Sequence, residues 1–191
     1  MSDKQSTALE PDLVDLLLGQ HMQIRDLFSE VESATGKARA DAFDRLVRLL
    51  AVHETAEEQI VHPLAREAMD GGEGVIEDRL AEERDAKEQL SALEAVDPGS
   101  AEFTTRLAEL REAVLAHAHF EETYEFRYLR REVDPGRLRA LANVVRAAEA
   151  TAPTHPHPGV ESAAANLTVG PVVAAFDRAK DLLRKAKPDG S

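Results

Sequence analysis

Apolar residues recur at steps of three and four along four successive stretches of this chain, and each run is broken near its middle by histidine or glutamate. The first run reads Val14, Leu17, His21, Ile24, Phe28, Val31, and the second Phe43, Leu46, Leu50, His53, Glu57, Ile60, Leu64. The third reads Ile76, Leu80, Glu83, Ala86, Leu90, Leu93, and the fourth Phe103, Leu107, Leu110, Val114, His117, Glu121, Tyr124, Tyr128. Such spacing puts each set on one face of a helix, the face that a folded chain buries.

Turn residues punctuate the runs. Pro11 suits the first turn of a helix reaching about Ala34, with Gly36 as its break. A second helix is expected from about Lys37 to Met69, with Pro63 bending its last turns, followed by the turn Asp70-Gly71-Gly72. A third covers roughly Glu73 to Ala95, and after Asp97-Pro98-Gly99 a fourth, N-capped by Ser100, runs to about Val133. A further helix follows from Arg137 to about Ala150. Short links between long helices imply antiparallel neighbours, so the expected fold is all-α, an up-down-up-down four-helix bundle with additional C-terminal helices.

The bundle domain is placed at residues 1–150. Residues 151–170 form a connector whose Pro153, His155, Pro156, His157 and Pro158 exclude regular helix, and residues 171–191 an amphipathic helix and tail. That tail carries Val172, Val173, Phe176, Ala179 and Leu183 opposite Arg178, Lys180, Arg184 and Lys185, which suits docking on the bundle or on a protein partner.

A carboxylate on a buried face costs on the order of several kcal/mol unless a cation or a proton compensates it. The same interruption in all four runs makes bound metal the economical explanation. His21, His53, Glu57, Glu83, His117 and Glu121 supply three imidazoles and three carboxylates, enough for two ions with open or bridged positions. Taken singly, a core histidine is more simply a hydrogen-bonded one; two His-x-x-x-Glu pairs in register argue against that reading. Residues four apart on a helix project side by side, so His53–Glu57 and His117–Glu121 can each grip one cation or two adjacent ones. Nitrogen and oxygen donors without sulfur favour iron or manganese, with zinc a further option.

Composition narrows the chemistry further. Among 191 residues there is no cysteine, which removes disulfides, thiolate zinc sites and iron–sulfur clusters and suits the cytoplasm. A formal net charge of -13 argues against delocalised binding to nucleic acid or to an anionic membrane. No apolar run reaches membrane-spanning length, and Met1 to Glu10 is polar rather than signal-like.

The arrangement resembles the hemerythrin family, the HHE cation-binding bundles, over roughly residues 12 to 132. The family pattern is a histidine on helix one, His-x-x-x-Glu on helix two, a histidine on helix three and His-x-x-x-Glu on helix four. Here His21, His53-Glu54-Thr55-Ala56-Glu57 and His117-Ala118-His119-Phe120-Glu121 match. Helix three departs: Ala81-Glu82-Glu83-Arg84-Asp85 stands where family members usually carry Glu-His, leaving Glu83 at the ligand position. The resemblance implies a non-haem di-iron centre, oxo- or hydroxo-bridged, that reacts with dioxygen, peroxide or nitric oxide. Enzymatic turnover of a peroxidase, catalase-like or oxidase kind, linked to oxidative stress, is one expectation; an iron- or gas-responsive sensor without turnover is the other. A carboxylate in place of histidine favours the ferric state and oxidative chemistry over reversible oxygen carriage. Three carboxylates carry about −3 against about +3 for two ferrous ions and one hydroxide, so a nearly neutral buried cluster is feasible.

Two further residues are weighed as ligands or outer-sphere groups, Glu54 beside His53 and Tyr124 one turn beyond Glu121. His-Glu at 53–54 is not a zinc-protease motif, because residue 57 is glutamate rather than histidine. Ferritin-like Glu-x-x-His pairs are absent from the chain. His62 and His119 sit half a turn from their seams and are expected at the surface.

Overall fold

The computed structural model describes residues 10–68 and 72–151. The proline-rich connector and the amphipathic C-terminal segment expected from the sequence lie outside the described residues, apart from Thr151, which ends a helix. Among the described residues all regular secondary structure is helical: α1 (Leu13–Ser33), α2 (Gly36–Ala56), α3 (His62–Ala68), α4 (Gly72–Glu94), α5 (Ala101–Phe120), α6 (Phe126–Glu132) and α7 (Pro135–Thr151). Helices α2 and α3 join through a π-helical turn, Glu57–Val61, and α5 and α6 through another, Glu121–Glu125. Each joined pair forms one long rod. With α1 and α4 these rods make the up-down-up-down bundle, and α7 packs against α1 and α2.

Local chemistry sets the helix ends. Asp12 caps α1 by accepting from the Asp15 N–H, and the Asp15 carboxylate accepts in return from the Asp12 N–H, a reciprocal box that satisfies two donors at the helix start. Pro11 therefore lies before the cap rather than in the first turn. Gly36 opens α2 at φ 56°, a left-handed conformation that glycine adopts without Cβ strain. Ser100 caps α5 through the Phe103 N–H, as the sequence indicates. Asp134, followed by Pro135 in the first helical turn, accepts from the Arg137 N–H and starts α7.

Burial follows the sequence seams closely in α1, α2 and α5. Val14, Leu17, Ile24, Phe28 and Val31 are buried, as are Phe43, Leu46, Leu50, Phe103, Leu107 and Leu110. These side chains form two apolar clusters, one at each end of the bundle. The first holds Leu13, Leu17, Ile60, Leu64, Ile76, Phe126 and Leu129, with Leu138, Leu141 and Val145 of α7 closing it. The second holds Ile24, Phe28, Phe43, Leu46, Leu50, Leu90, Phe103 and Val114. The polar interruptions on α1, α2, α4 and α5 fall between the clusters, so the bundle has a polar waist walled off on both sides.

The second rod departs from the expected geometry at Glu57 rather than at Pro63. His62 N–H donates to the Glu57 carbonyl and Phe126 N–H to the Glu121 carbonyl, the i→i+5 bonds of π-helix. One extra residue per turn shifts the phase of all that follows. Residues five beyond each glutamate thus come over the core; on the second rod the expected Ile60 and Leu64 stay buried as well, whereas on the fourth the expected Tyr124 is exposed.

Candidate metal centre

Four rods bring the waist residues together. His21 comes from α1, His53 from α2, Glu57 and Glu121 from the first residues of the two π-turns, Glu83 from α4 and His117 from α5. Glu57 and Glu121 are fully buried, and His21, His53 and Glu83 nearly so. Two overlapping groups result. Donor atoms of His21, His53, Glu57 and Glu121 all lie within 4.8 Å of one another, and so do those of Glu57, Glu83 and His117.

Two carboxylates span both groups. Glu57 Oε1 is 3.0 Å from His53 Nε2 and 3.8 Å from His21 Nε2, while its Oε2 is 3.9 Å from His117 Nε2. Glu121 likewise turns Oε2 toward His21 Nε2, at 3.3 Å, and Oε1 toward His117 Nε2, at 3.5 Å. Glu83 Oε1 stands 3.8 Å from His117 Nε2. Each of the first two glutamates offers one oxygen to each side, the disposition of a bridging ligand.

The histidines are oriented from outside. His21 Nδ1 meets Glu122 Oε1 at 2.9 Å, His53 Nδ1 meets Gln20 Oε1 at 2.8 Å and His117 Nδ1 meets Glu82 Oε2 at 3.1 Å. A carboxylate or amide oxygen can only accept, so each Nδ1 donates, and in the neutral ring Nε2 carries a bare lone pair. All three Nε2 atoms face the waist, where those of His21 and His53 are 3.1 Å apart. There both oxygens of Glu57, both of Glu121, Glu83 Oε2 and His117 Nε2 are buried without a hydrogen-bond partner. Converging lone pairs and orphaned carboxylate oxygens repel unless positive charge lies among them. This donor set fits divalent cations.

Without metal, protons supply that charge. Burial disfavours an imidazolium at His21, but Glu121 and Glu57 outweigh it and raise the ring to about 10. His117 is likewise opposed by burial and pushed up to about 12 by the same two carboxylates. Burial would raise Glu57, yet the charge of His53 and contacts from His117, His21 and His53 hold it well below its usual value. A metal would replace protons on the rings.

A cavity of about 400 Å³ opens onto this cluster beside α4 and α5. His21, His53, Glu57, Glu83 and His117 line it together with the apolar Ile24, Leu50 and Val114. Arg79 also lines it, its guanidinium 4.0 Å above the Phe120 ring and 2.6 Å from Glu82 Oε2. Small molecules therefore have a route to the donors.

All six residues expected as ligands converge here, but other expectations are corrected. Tyr124 is 52% exposed and packs on the Phe120 ring, because the second π-turn rotates it away from the core. Glu54 is buried beside the cluster and faces Lys87 Nζ at 3.6 Å; burial, opposed by Lys87, raises its carboxyl to about 8. His119 is exposed, as expected. His62 is buried rather than at the surface: its Nε2 is 2.5 Å from Glu83 Oε1, and its Nδ1 faces Glu125 Oε2 at 3.9 Å. Burial raises the carboxyls of Glu83 and Glu125, the latter to about 7, with His62 opposing the shift at both.

Sequence reasoning missed His62, Glu125 and the outer partners Gln20, Glu82 and Glu122. One signal for the first was present. Superposing the two motifs in sequence sets His62 against Phe126, five residues past each motif glutamate, and an apolar residue at that register marks a core-facing position.

Comparison with known proteins agrees with this architecture. The crystal structure of a hemerythrin HHE cation binding domain-containing protein, the Rv2633c homolog from Mycobacterium kansasii, superposes with a TM-score of 0.63 at 21% identity, over 73% of this chain and 86% of that one. That likeness shows the fold. A DNA nickase from Nostoc sp. is 26% identical over 149 residues, 78% of this chain but 41% of that protein, so the chain spans about two fifths of its relative's length. The model of the hemerythrin HHE cation binding domain matches residues 12–129, more than half of the chain and the same stretch that builds the polar waist, and the chain belongs to that family.

Proposed function

We propose that the chain is a non-haem di-iron protein whose bundle core holds two ions and reacts with dioxygen, peroxide or nitric oxide. The observation that carries this reading is the division of donors about Glu57 and Glu121. On one side stand His21 and His53, on the other His117 and Glu83, and each shared carboxylate presents one oxygen to either side. Iron in such a nitrogen and oxygen set supplies one-electron and oxygen chemistry when bound.

The chain's own residues do the rest. Glu122, Gln20 and Glu82 hold the three imidazoles in the tautomer that presents Nε2 inward. The two apolar clusters shield the waist from water at both ends, and the cavity admits a small ligand from the side. Arg79 stands along that route with its guanidinium paired to Glu82 and stacked on the Phe120 ring.

Metal analysis after reconstitution with ferrous iron, together with an optical spectrum of the oxidised protein, tests the reading. Near two irons per chain and an absorption band of bridged ferric iron that responds to peroxide or nitric oxide support it. A content near zero removes it. A sensor without turnover is separated from an enzyme by whether peroxide is consumed catalytically in the absence of a partner. The name of the Nostoc relative raises phosphodiester cleavage as a further reading, which the net charge of -13 opposes and a plasmid-relaxation assay decides.

A further inference from the structure

Among the described residues, His62 is the one buried imidazole that the di-iron reading leaves unused. It lies on the second rod, first residue of α3, and is 1% exposed. The π-turn puts it there: its N–H reaches back five residues to the Glu57 carbonyl, which stacks the imidazole one wide turn beyond the bridging glutamate. Nε2 meets Glu83 Oε1 at 2.5 Å, leaving Glu83 Oε2 without a protein partner. On the other edge of the ring, Nδ1 faces Glu125, neither of whose buried oxygens has a hydrogen-bond partner.

We propose that His62 is a positioning residue of the metal centre, donating from Nε2 to Glu83 Oε1 and so fixing the carboxylate where that oxygen also faces His117 Nε2 at 3.8 Å, with Glu125 beside the other edge of the ring. The proposal rests on the reading of Glu83 as a ligand. It supplies what α4 lacks, since that helix has no histidine and its only buried donor at the waist is a flexible carboxylate. A glutamate has three rotatable bonds, and a hydrogen bond to one oxygen both fixes its orientation and tunes its strength as a donor. The other π-turn shows the contrast. Phe126 stands at the register of His62, stacks on the His21 ring at 5.6 Å and offers no hydrogen bond, while His21 is held by Glu122 instead. With its Nε2 spent on Glu83, the remaining ring nitrogen of His62, Nδ1, faces Glu125 and has no hydrogen-bond partner.

Cobalt(II) titration tests this, because its ligand-field bands report the donor set and its binding needs no redox turnover. The wild-type chain is expected to bind two cobalt ions. His62→Asn places an amide near the Nδ1 position, toward Glu125, but is too short to reach Glu83; His62→Gln keeps a donor near the Nε2 position. His62→Asn should still bind two ions, with one about 10–100-fold weaker and its band shifted, and His62→Gln should recover most of that loss. In a Glu83→Ala background, His62→Asn should weaken binding no further, because His62 acts through Glu83. Unchanged affinity and spectrum in His62→Asn would overturn the proposal, and so would equal losses in the two variants, which indicate packing. A further loss in the Glu83→Ala background would make His62 a ligand in its own right. Absence of cobalt from the wild-type chain would instead remove the metal reading itself.

Discussion

His21 and His53 present their Nε2 atoms to each other across 3.1 Å at the waist of the bundle, each ring fixed from behind by an acceptor on Nδ1. As neutral rings they would set two lone pairs face to face, so the contact needs a proton or a shared cation between them. The outer acceptors are therefore as much part of the centre as the rings they hold.

Gln20 makes this testable. Its amide oxygen accepts from His53 Nδ1, and its amide nitrogen is anchored by Glu149 of α7. Gln20→Leu should leave the helical content unchanged, lower affinity for the ion at His53 by about 10–100-fold, and leave the ion at His117 bound. Competition against a chromophoric chelator reads both constants. Equal loss at both ions would mean that Gln20 acts on the fold rather than on one ring.

Proton bookkeeping gives a second expectation. In the metal-free protein His21 is raised to about 10 and His117 to about 12, against 6.5 for an unstructured histidine. A folded value above the unfolded one stabilises the fold fully below about pH 6.5, and that contribution is lost as pH rises through 10 and then 12. Metal-free protein should accordingly lose stability from about pH 7 upward through alkaline pH. Loading with metal at pH 7 should release roughly two protons, because the ions displace them from the rings. Calorimetric titrations in buffers of different ionisation enthalpy measure that number, and a value of zero would show the rings already neutral.

Much of this centre was legible in the residue pattern, for a physical reason. Before Glu57 and Glu121 the rods are regular α-helices, so three-and-four spacing maps straight onto a face. His21, His53, Glu83 and His117 were found because a polar side chain in an apolar seam is a conflict visible in sequence. Beyond each motif glutamate the π-turn adds to or changes the buried set: His62 joins Ile60 and Leu64 inside, Glu125 turns inward and Tyr124 outward. Three-and-four spacing does not announce a π-turn, and the register that sets His62 against Phe126 is the one sequence signal of its burial. The outer acceptors Gln20, Glu82 and Glu122 were hidden for a different reason, since each is adjacent in sequence to a core residue and reads as ordinary helix surface.

Metal should also stabilise the fold. Binding to the native state alone contributes about 2.7 kcal/mol when free metal is 100-fold above the dissociation constant, or roughly 5–10 °C in melting temperature for a chain of this size. His53→Ala and His117→Ala should each remove most of that difference while leaving the metal-free protein folded. Thermal melts with and without ferrous iron under anaerobic conditions provide the comparison. Coincident melting curves for the wild type would mean that the waist holds no metal under those conditions.

Glu83 bears on which chemistry the centre favours. It is 2% exposed, stands 3.8 Å from His117 Nε2 and occupies the α4 position at which an imidazole would complete a more nitrogen-rich set. An anionic oxygen stabilises ferric over ferrous iron, so the native residue should depress the reduction potential and hasten oxidation of the reduced centre. Glu83→His should retain two metals per chain, raise the potential and slow autoxidation of the diferrous protein. The substitution also replaces the carboxylate that meets His62, so His62 would face a second imidazole, and Glu83→Gln, neutral and nearly isosteric, separates loss of charge from loss of that contact. If charge is what tunes the centre, Glu83→Gln and Glu83→His should move the potential in the same direction, read by spectroelectrochemistry. An unchanged potential in both, with metal content intact, would place the control of oxidation elsewhere in the cluster, with Glu57 and Glu121 as the remaining carboxylates to test.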